Sequence, residues 1–189
     1  MSLIRTIKRQ YGLGMIEVLV AGLIFALGVL GLSTMQVKAK RTSYDALQRS
    51  LATSLARDMV ARMRSNPTVI DTYAAITFLG GVTSGNEPSP DCKTTQCAPS
   101  QLANHDLWEW EQALEGASEV SNQINTGGLT QPSGCIDNTN GLITITIAWE
   151  GFDGKTTPNG STCGESRGLY GTGNINRKIV VLNTFIEAI

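Results

Sequence analysis

The chain has 189 residues, 41% of them hydrophobic, and a formal net charge of −1. That size fits one compact domain plus an extended segment, with enough apolar material to bury a core. The charge is unevenly spread, basic over residues 36–66 and acidic over 67–189, which argues against nucleic-acid binding by the polar C-terminal part.

Residues 1–12 carry Arg5, Lys8 and Arg9 and no acid. Residues 13–32 then read LGMIEVLVAGLIFALGVLGL, about the ~20 residues that a membrane-spanning helix needs. Glu17 is the one charge in that run. Three readings compete. In a secretory signal peptide, the strictly apolar stretch 18–32 is the h-region and Val37-Lys38-Ala39 the cleavage site. In a plain single-pass anchor the length is right. Neither accounts for Glu17, because a carboxylate deep in a bilayer costs about 2.5–3.5 kcal/mol on insertion scales. Arg5, Lys8 and Arg9 before the run are nearly balanced by Lys38, Lys40 and Arg41 after it, so charge alone encodes orientation weakly.

The third reading takes the pattern as a whole. A short basic leader ends in Tyr11-Gly12, an apolar helix starts at Leu13, and Glu17 stands five places past the glycine. With Met15-Ile16-Glu17-Val18-Leu19-Val20-Ala21, this resembles the type IV prepilin class. The resemblance implies cutting by a prepilin peptidase between Gly12 and Leu13, N-methylation of Leu13, and a single-pass protein of the bacterial inner membrane with a periplasmic head. The sequence departs from the class in having Leu13 where Phe is usual and Gly14 where Thr or Ser is usual. Glu17 then acquires a role in assembly. Cleavage frees an ammonium on Leu13, and Glu17 of one subunit pairs with the ammonium of a neighbour. Such a pair in apolar surroundings is far less costly than a lone buried charge.

The helical pattern continues beyond the apolar run. Leu47, Leu51, Leu55, Met59 and Met63 recur every four residues, and Ala52, Ala56 and Val60 widen the stripe. No proline interrupts residues 13–65, and Ser65-Asn66-Pro67 is a stop signal. One helix over 14–65 spans about 78 Å at ~1.5 Å per residue; the alternative is two helices jointed near Ser33-Thr34 or Thr42-Ser43. The division is a leader over 1–12, a transmembrane and assembly helix over 13–35, its continuation over 36–66, and a head over 67–189. The charges of the continuation read as a solvated helix face.

Residues 66–141 read as irregular, with turns and short helices. A short amphipathic helix is expected over 101–115, burying Leu107, Trp110, Ala113 and Leu114. Asn140-Gly141 marks a turn before a strand over Leu142–Trp149, in which Ile143, Ile145, Ile147 and Trp149 share one face and Thr144, Thr146 and Ala148 the other. Pro158-Asn159-Gly160 marks a further turn, and the segment 178–186 reads as the last strand. The expected fold is α+β and type IV pilin-like: a long N-terminal helix, transmembrane in its first half, against a C-terminal antiparallel sheet. The four cysteines, Cys92, Cys97, Cys135 and Cys163, all lie in the head and suggest disulfides in an oxidising compartment. Of three connectivities, proximity favours Cys92–Cys97 with Cys135–Cys163.

Motifs for chemistry are lacking. His105 is the single histidine and no C-x-x-C pair occurs, so no zinc motif is present, and His105 reads as a partly exposed helix residue. Asp106, Glu109 and Glu111 beside the tryptophans read as a solvated face rather than a sugar-binding patch. The sequence predicts no enzyme, cofactor, metal, nucleic-acid partner or small-molecule substrate. Ser-Asn-Pro after Arg62-Met63-Arg64, the Trp-rich helix and Gly134-Cys135 ahead of the strand resemble the PilV group of minor pilins. That resemblance implies assembly with other minor pilins and the major pilin to prime a pilus, with the protein at its tip and twitching motility and adhesion dependent on it. A minor pseudopilin of type II secretion and a carbohydrate-binding tip adhesin remain as alternatives.

Overall fold

A computed structural model describes residues 14–76, 79–80, 85–122, 124–155 and 160–187. The chain divides into two compact units, Met1–Thr42 and Ser43–Ile189.

Helix α1 (Met15–Ser65) is continuous, without a joint at Ser33-Thr34 or Thr42-Ser43. Within the first unit its side chains are exposed, among them Leu19, Leu23, Phe25, Leu27 and Leu30. By length and composition this part is apolar enough to cross a membrane. Its hydroxyls are satisfied inside the helix: Ser33 Oγ donates to the Val29 carbonyl at 2.9 Å and Thr34 Oγ1 to the Gly31 carbonyl at 2.8 Å. Donors internally paired in this way suit a segment that meets lipid, where water is absent.

In the second unit α1 buries Gln48, Ala52, Leu55, Ala56, Met59, Val60 and Met63. The stripe therefore differs from the expected one at its start: Leu47 is exposed and Leu51 only half-buried. The reason is geometric. Each four-residue step along an α-helix over-rotates by about 40°, so leucines spaced strictly by four wind off any single face. Gln48 takes the inward place and satisfies its amide, donating to the Gly128 carbonyl at 3.3 Å and accepting from the Thr130 N–H at 3.2 Å.

After Ser65 the chain turns through Asn66 into a 3₁₀ turn (Pro67–Val69) and helix α2 (Ile70–Ala74). Helix α3 (Pro99–Glu115) starts with proline in its first turn and ends at Gly116, which has φ 67° and closes the last turn through its N–H to the Ala113 carbonyl. Leu107, Trp110 and Leu114 are buried as expected, whereas Ala113 is half-buried. Trp110 also donates its indole N–H to the Leu55 carbonyl of α1 at 2.9 Å, which fixes the two helices together.

A two-stranded ribbon, β1 (Val120–Ser121) with β2 (Ile124–Asn125), precedes the main sheet. That sheet contains β3 (Ser133–Thr139), β4 (Leu142–Glu150) and β5 (Arg177–Phe185) in antiparallel order β3-β4-β5. Strand β3 corrects the reading of residues 66–141 as irregular. Its sequence SGCIDNT lacks the alternation that marks a strand, and pairing with β4 supplies what propensity does not. The β3–β4 turn is Asn140-Gly141, with φ 52° and 85°, the two positive values that a type I′ hairpin requires.

The register aligns Gly134, Ile147 and Val180, then Ile136, Ile145 and Leu182, on the face that shares a core with α1 and α3. The opposite face is also covered: Ala148, Tyr170 and Ile179 form a second small cluster. Gly134 is glycine because of close approach. A Cβ there would lie 2.5 Å from Trp110 Cζ3 and 2.9 Å from Leu114 Cδ1. Gly134→Ala should therefore destabilise the head by about 1–3 kcal/mol through overpacking, seen as an earlier denaturation midpoint of the full chain in detergent. An unchanged midpoint would mean that Trp110 moves aside freely.

Candidate functional site

Gly12 and Leu13, the expected cleavage and methylation positions, lie outside the described residues. Glu17 lies in the first turn of α1 and is exposed. Among the described residues none forms an ion pair with it. The carboxylate favours its place near the helix N-terminus, where unpaired N–H groups carry partial positive charge.

In the head the structure joins Cys92 to Cys97 and Cys135 to Cys163. The second bond ties β3 to the loop after β4, on the sheet face away from α1. A bond closing a loop of that separation contributes about 3–4 kcal/mol in the chain-entropy view. Polar contacts reinforce it. Arg177, almost fully buried, donates through Nε to the Cys163 carbonyl at 3.0 Å and pairs with Glu165 at 3.1 Å. Tyr170 donates its hydroxyl to Ser133 Oγ at 2.7 Å, and Arg167 reaches the same oxygen at 2.8 Å.

The acidic face of α3, which the sequence predicts to be solvated, carries the densest charge cluster among the described residues of the head. Arg62 of α1 bonds Asp58 at 2.9 Å, Asp106 at 2.9 Å and Glu109 at 2.7 Å. Asp106 is buried and also accepts from the Tyr73 hydroxyl at 2.6 Å. Asn66 completes the group by donating to the Pro99 carbonyl at 2.8 Å. So α1, α2 and α3 meet at one polar knot, and Asp106 is not a surface charge. His105 is likewise buried, at 3% exposure, rather than partly exposed. Its Nε2 faces Glu87 at 3.1 Å. Lys93 bridges to Glu109 at 3.0 Å and lies over the Trp108 ring, 5.4 Å from its centroid. The burial of His105 and Asp106 had no sequence signal, because it comes from distant partners: Glu87 and Asp91 of the 85–98 loop face His105, while Arg62 of α1 and Tyr73 of α2 hold Asp106.

The knot shifts proton affinities. For Arg62, burial alone acts to lower the pKa, but hydrogen bonds to Glu109, Asp58 and Asp106 outweigh it and raise the value above that of a free guanidinium. Tyr73 is pushed up by burial and by its bond to Asp106. Burial acts to raise Glu109, yet hydrogen bonds from Arg62 and Lys93 prevail and hold it below the usual glutamate value. Its pairing therefore stabilises the head above about pH 4.3, the ordinary glutamate pKa, and that contribution is lost as pH falls through the lower folded value. Wild-type protein should be more stable than Glu109→Gln at neutral pH, with the gap closing on acidification below about pH 4.3. Parallel stability curves over that range would refute the coupling.

Residues 34–108 match the family model described as Tt1218-like, type IV pilin Tt1218. The match covers less than half of the chain and starts beyond the apolar run, so it is independent of the Gly12-to-Glu17 pattern. No curated protein and no solved structure matches the chain. The family match supports a membrane-anchored pilin that assembles with other pilins. The architecture is that of the α+β type IV pilin fold: a long N-terminal helix, apolar in its first half, whose second half packs against a three-stranded antiparallel sheet.

Proposed function

We propose that this protein is a minor pilin of the type IV pilus, of the PilV kind. A prepilin peptidase removes residues 1–12, and Leu13 becomes the methylated N-terminus. The mature chain then joins other minor pilins and the major pilin in the inner membrane and primes filament growth. The head faces the periplasm, and the protein stays at the pilus tip. Twitching motility and adhesion depend on it through assembly, and its role is structural rather than catalytic.

One observation carries this reading: two independent signals agree. Glu17 stands five places past Gly12 in an apolar run, and residues 34–108 separately match a type IV pilin family. The exposed apolar side chains between Met15 and Val37 support it, since such a surface needs lipid or neighbouring helices around it. Gly22, Gly28 and Gly31 have open space where a Cβ would project, so packing within the chain does not ask for glycine there. Close helix–helix approach does.

Glu17→Ala should leave leader cleavage intact and reduce incorporation into pili, read as mature protein retained in the membrane and depleted from sheared filaments. Incorporation at the wild-type level would refute the pairing role. Deletion of the gene in a retraction-disabled strain should abolish or sharply reduce surface pili. Normal piliation with failed protein secretion would point instead to a pseudopilin, and normal piliation with lost attachment to a tip adhesin. A mature chain beginning at Lys40 would make the apolar run a signal peptide.

A further inference from the structure

The 85–98 loop and helix α3 bring together three metal-ligating groups that no sequence motif connects. Glu87, Asp91 and His105 each offer one ligand atom, and the three atoms lie within 4.8 Å of one another. His105 Nε2 is 3.1 Å from Glu87 Oε1 and 3.7 Å from Asp91 Oδ1. Donors bound at ~2.0–2.1 Å to a tetrahedral ion stand about 3.3–3.4 Å apart. Adjustments of a few tenths of an ångström at these two pairs reach that spacing, and the third pair, within 4.8 Å, has to close by at most about 1.4 Å.

We propose that Glu87, Asp91 and His105 form a binding site for a divalent transition-metal ion of the zinc type, with solvent in the fourth position. The imidazole nitrogen selects the class. One nitrogen with two carboxylates suits zinc, whereas calcium and magnesium take oxygen ligands. Two carboxylates and a neutral imidazole carry the charge that a dication neutralises. Glu87 and Asp91 side chains are 40% and 39% exposed, which gives an ion access and leaves the fourth position facing water.

The groups around the ligands are placed to hold them. His105 is 3% exposed, so its ring has a fixed place in α3. Its other nitrogen, Nδ1, faces Glu109 Oε1 at 3.9 Å. A carboxylate shift of about 1 Å would let Glu109 accept the Nδ1–H, as the partner that orients a metal-bound imidazole. Asp91 is held by the Lys93 N–H at 2.9 Å on Oδ1 and by the Thr94 hydroxyl at 3.0 Å on Oδ2. The Cys92–Cys97 bond and the Trp108 indole N–H, which donates to the Gly85 carbonyl at 2.9 Å, fix the loop. Lys93 is the competing cation, but it lies 3.9 Å from Glu87 and only 3.0 Å from Glu109. It can remain with Glu109 while an ion takes Glu87. A bound ion would then staple the loop to α3 beside the disulfide.

The test is equilibrium dialysis of the full-length chain, disulfides intact and in detergent micelles, against Zn²⁺, with Co²⁺ as the spectroscopic probe. One Zn²⁺ per chain is expected, and Co²⁺ should give the intense visible bands of a four-coordinate site. Glu87→Gln and Asp91→Asn change exposed loop residues and should each weaken Zn²⁺ binding by about 10-fold or more. His105→Gln should abolish the Co²⁺ bands. Zinc should raise the thermal midpoint of the wild type and not of Asp91→Asn. Absence of stoichiometric binding overturns the proposal. So does binding that persists unweakened in Glu87→Gln and Asp91→Asn, which would mark an adventitious ion only. Because His105 is buried, those two loop variants decide the question even if His105→Gln fails to fold.

Discussion

The inward stripe of α1 from Ala52 to Met63 is the surface on which the head is built. Two of its members, Ala52 and Ala56, are fully buried and small, so neighbouring elements come close to the helix backbone. Trp110 uses that closeness, donating its indole N–H to the Leu55 carbonyl while its ring lies against Gly134. The sheet therefore docks through a tryptophan that needs a glycine opposite it and small residues around it. Each of these choices is intelligible only given the others, which is how a close-packed core transmits constraint.

Charge closes the same arrangement at the end of α1. Burying a charged group is costly unless it is paired and hydrogen-bonded. Arg62 meets that condition with three carboxylates, and Asp106 meets it with Arg62 and Tyr73. The knot fixes the angle at which the chain leaves α1 and returns as α3. The rest of the basic stretch, Lys38, Lys40, Arg41, Arg49 and Arg57, is exposed and behaves as the solvated face that composition suggests. Of the seven basic residues in this stretch, Arg62 is the one that binds three carboxylates, while the exposed Arg64 donates to Thr184 Oγ1 at 2.8 Å.

The two units divide the work the protein is proposed to do. The first exposes apolar side chains along its helix and carries Glu17 near the start; it has the composition of a segment that meets lipid and other helices. The second holds its shape through two cores, one on each face of the sheet, and two disulfides. Cross-links of this kind suit a polar head with long loops, because they limit the freedom of the unfolded chain where apolar burial is thin.

Features written in local periodicity were legible from the residues alone. The absence of proline over 13–65 and the Ser65-Asn66-Pro67 stop bounded α1, the alternation of Ile143, Ile145, Ile147 and Trp149 marked β4, and Asn140-Gly141 marked its turn. These signals depend on neighbours within a few residues, and an α-helix or hairpin answers to such neighbours directly. What depended on distant segments was not legible. Strand β3 exists because β4 offers it an edge, Gln48 rather than Leu47 faces inward because α1 advances 3.6 residues per turn, and His105 and Asp106 are buried because a disulfide-closed loop and Arg62 cover them. By itself the sequence determined which stretches are helical, apolar or extended. Only the tertiary structure decided which polar side chains lie inside, because the burial of a charge is set by the partners that folding brings to it.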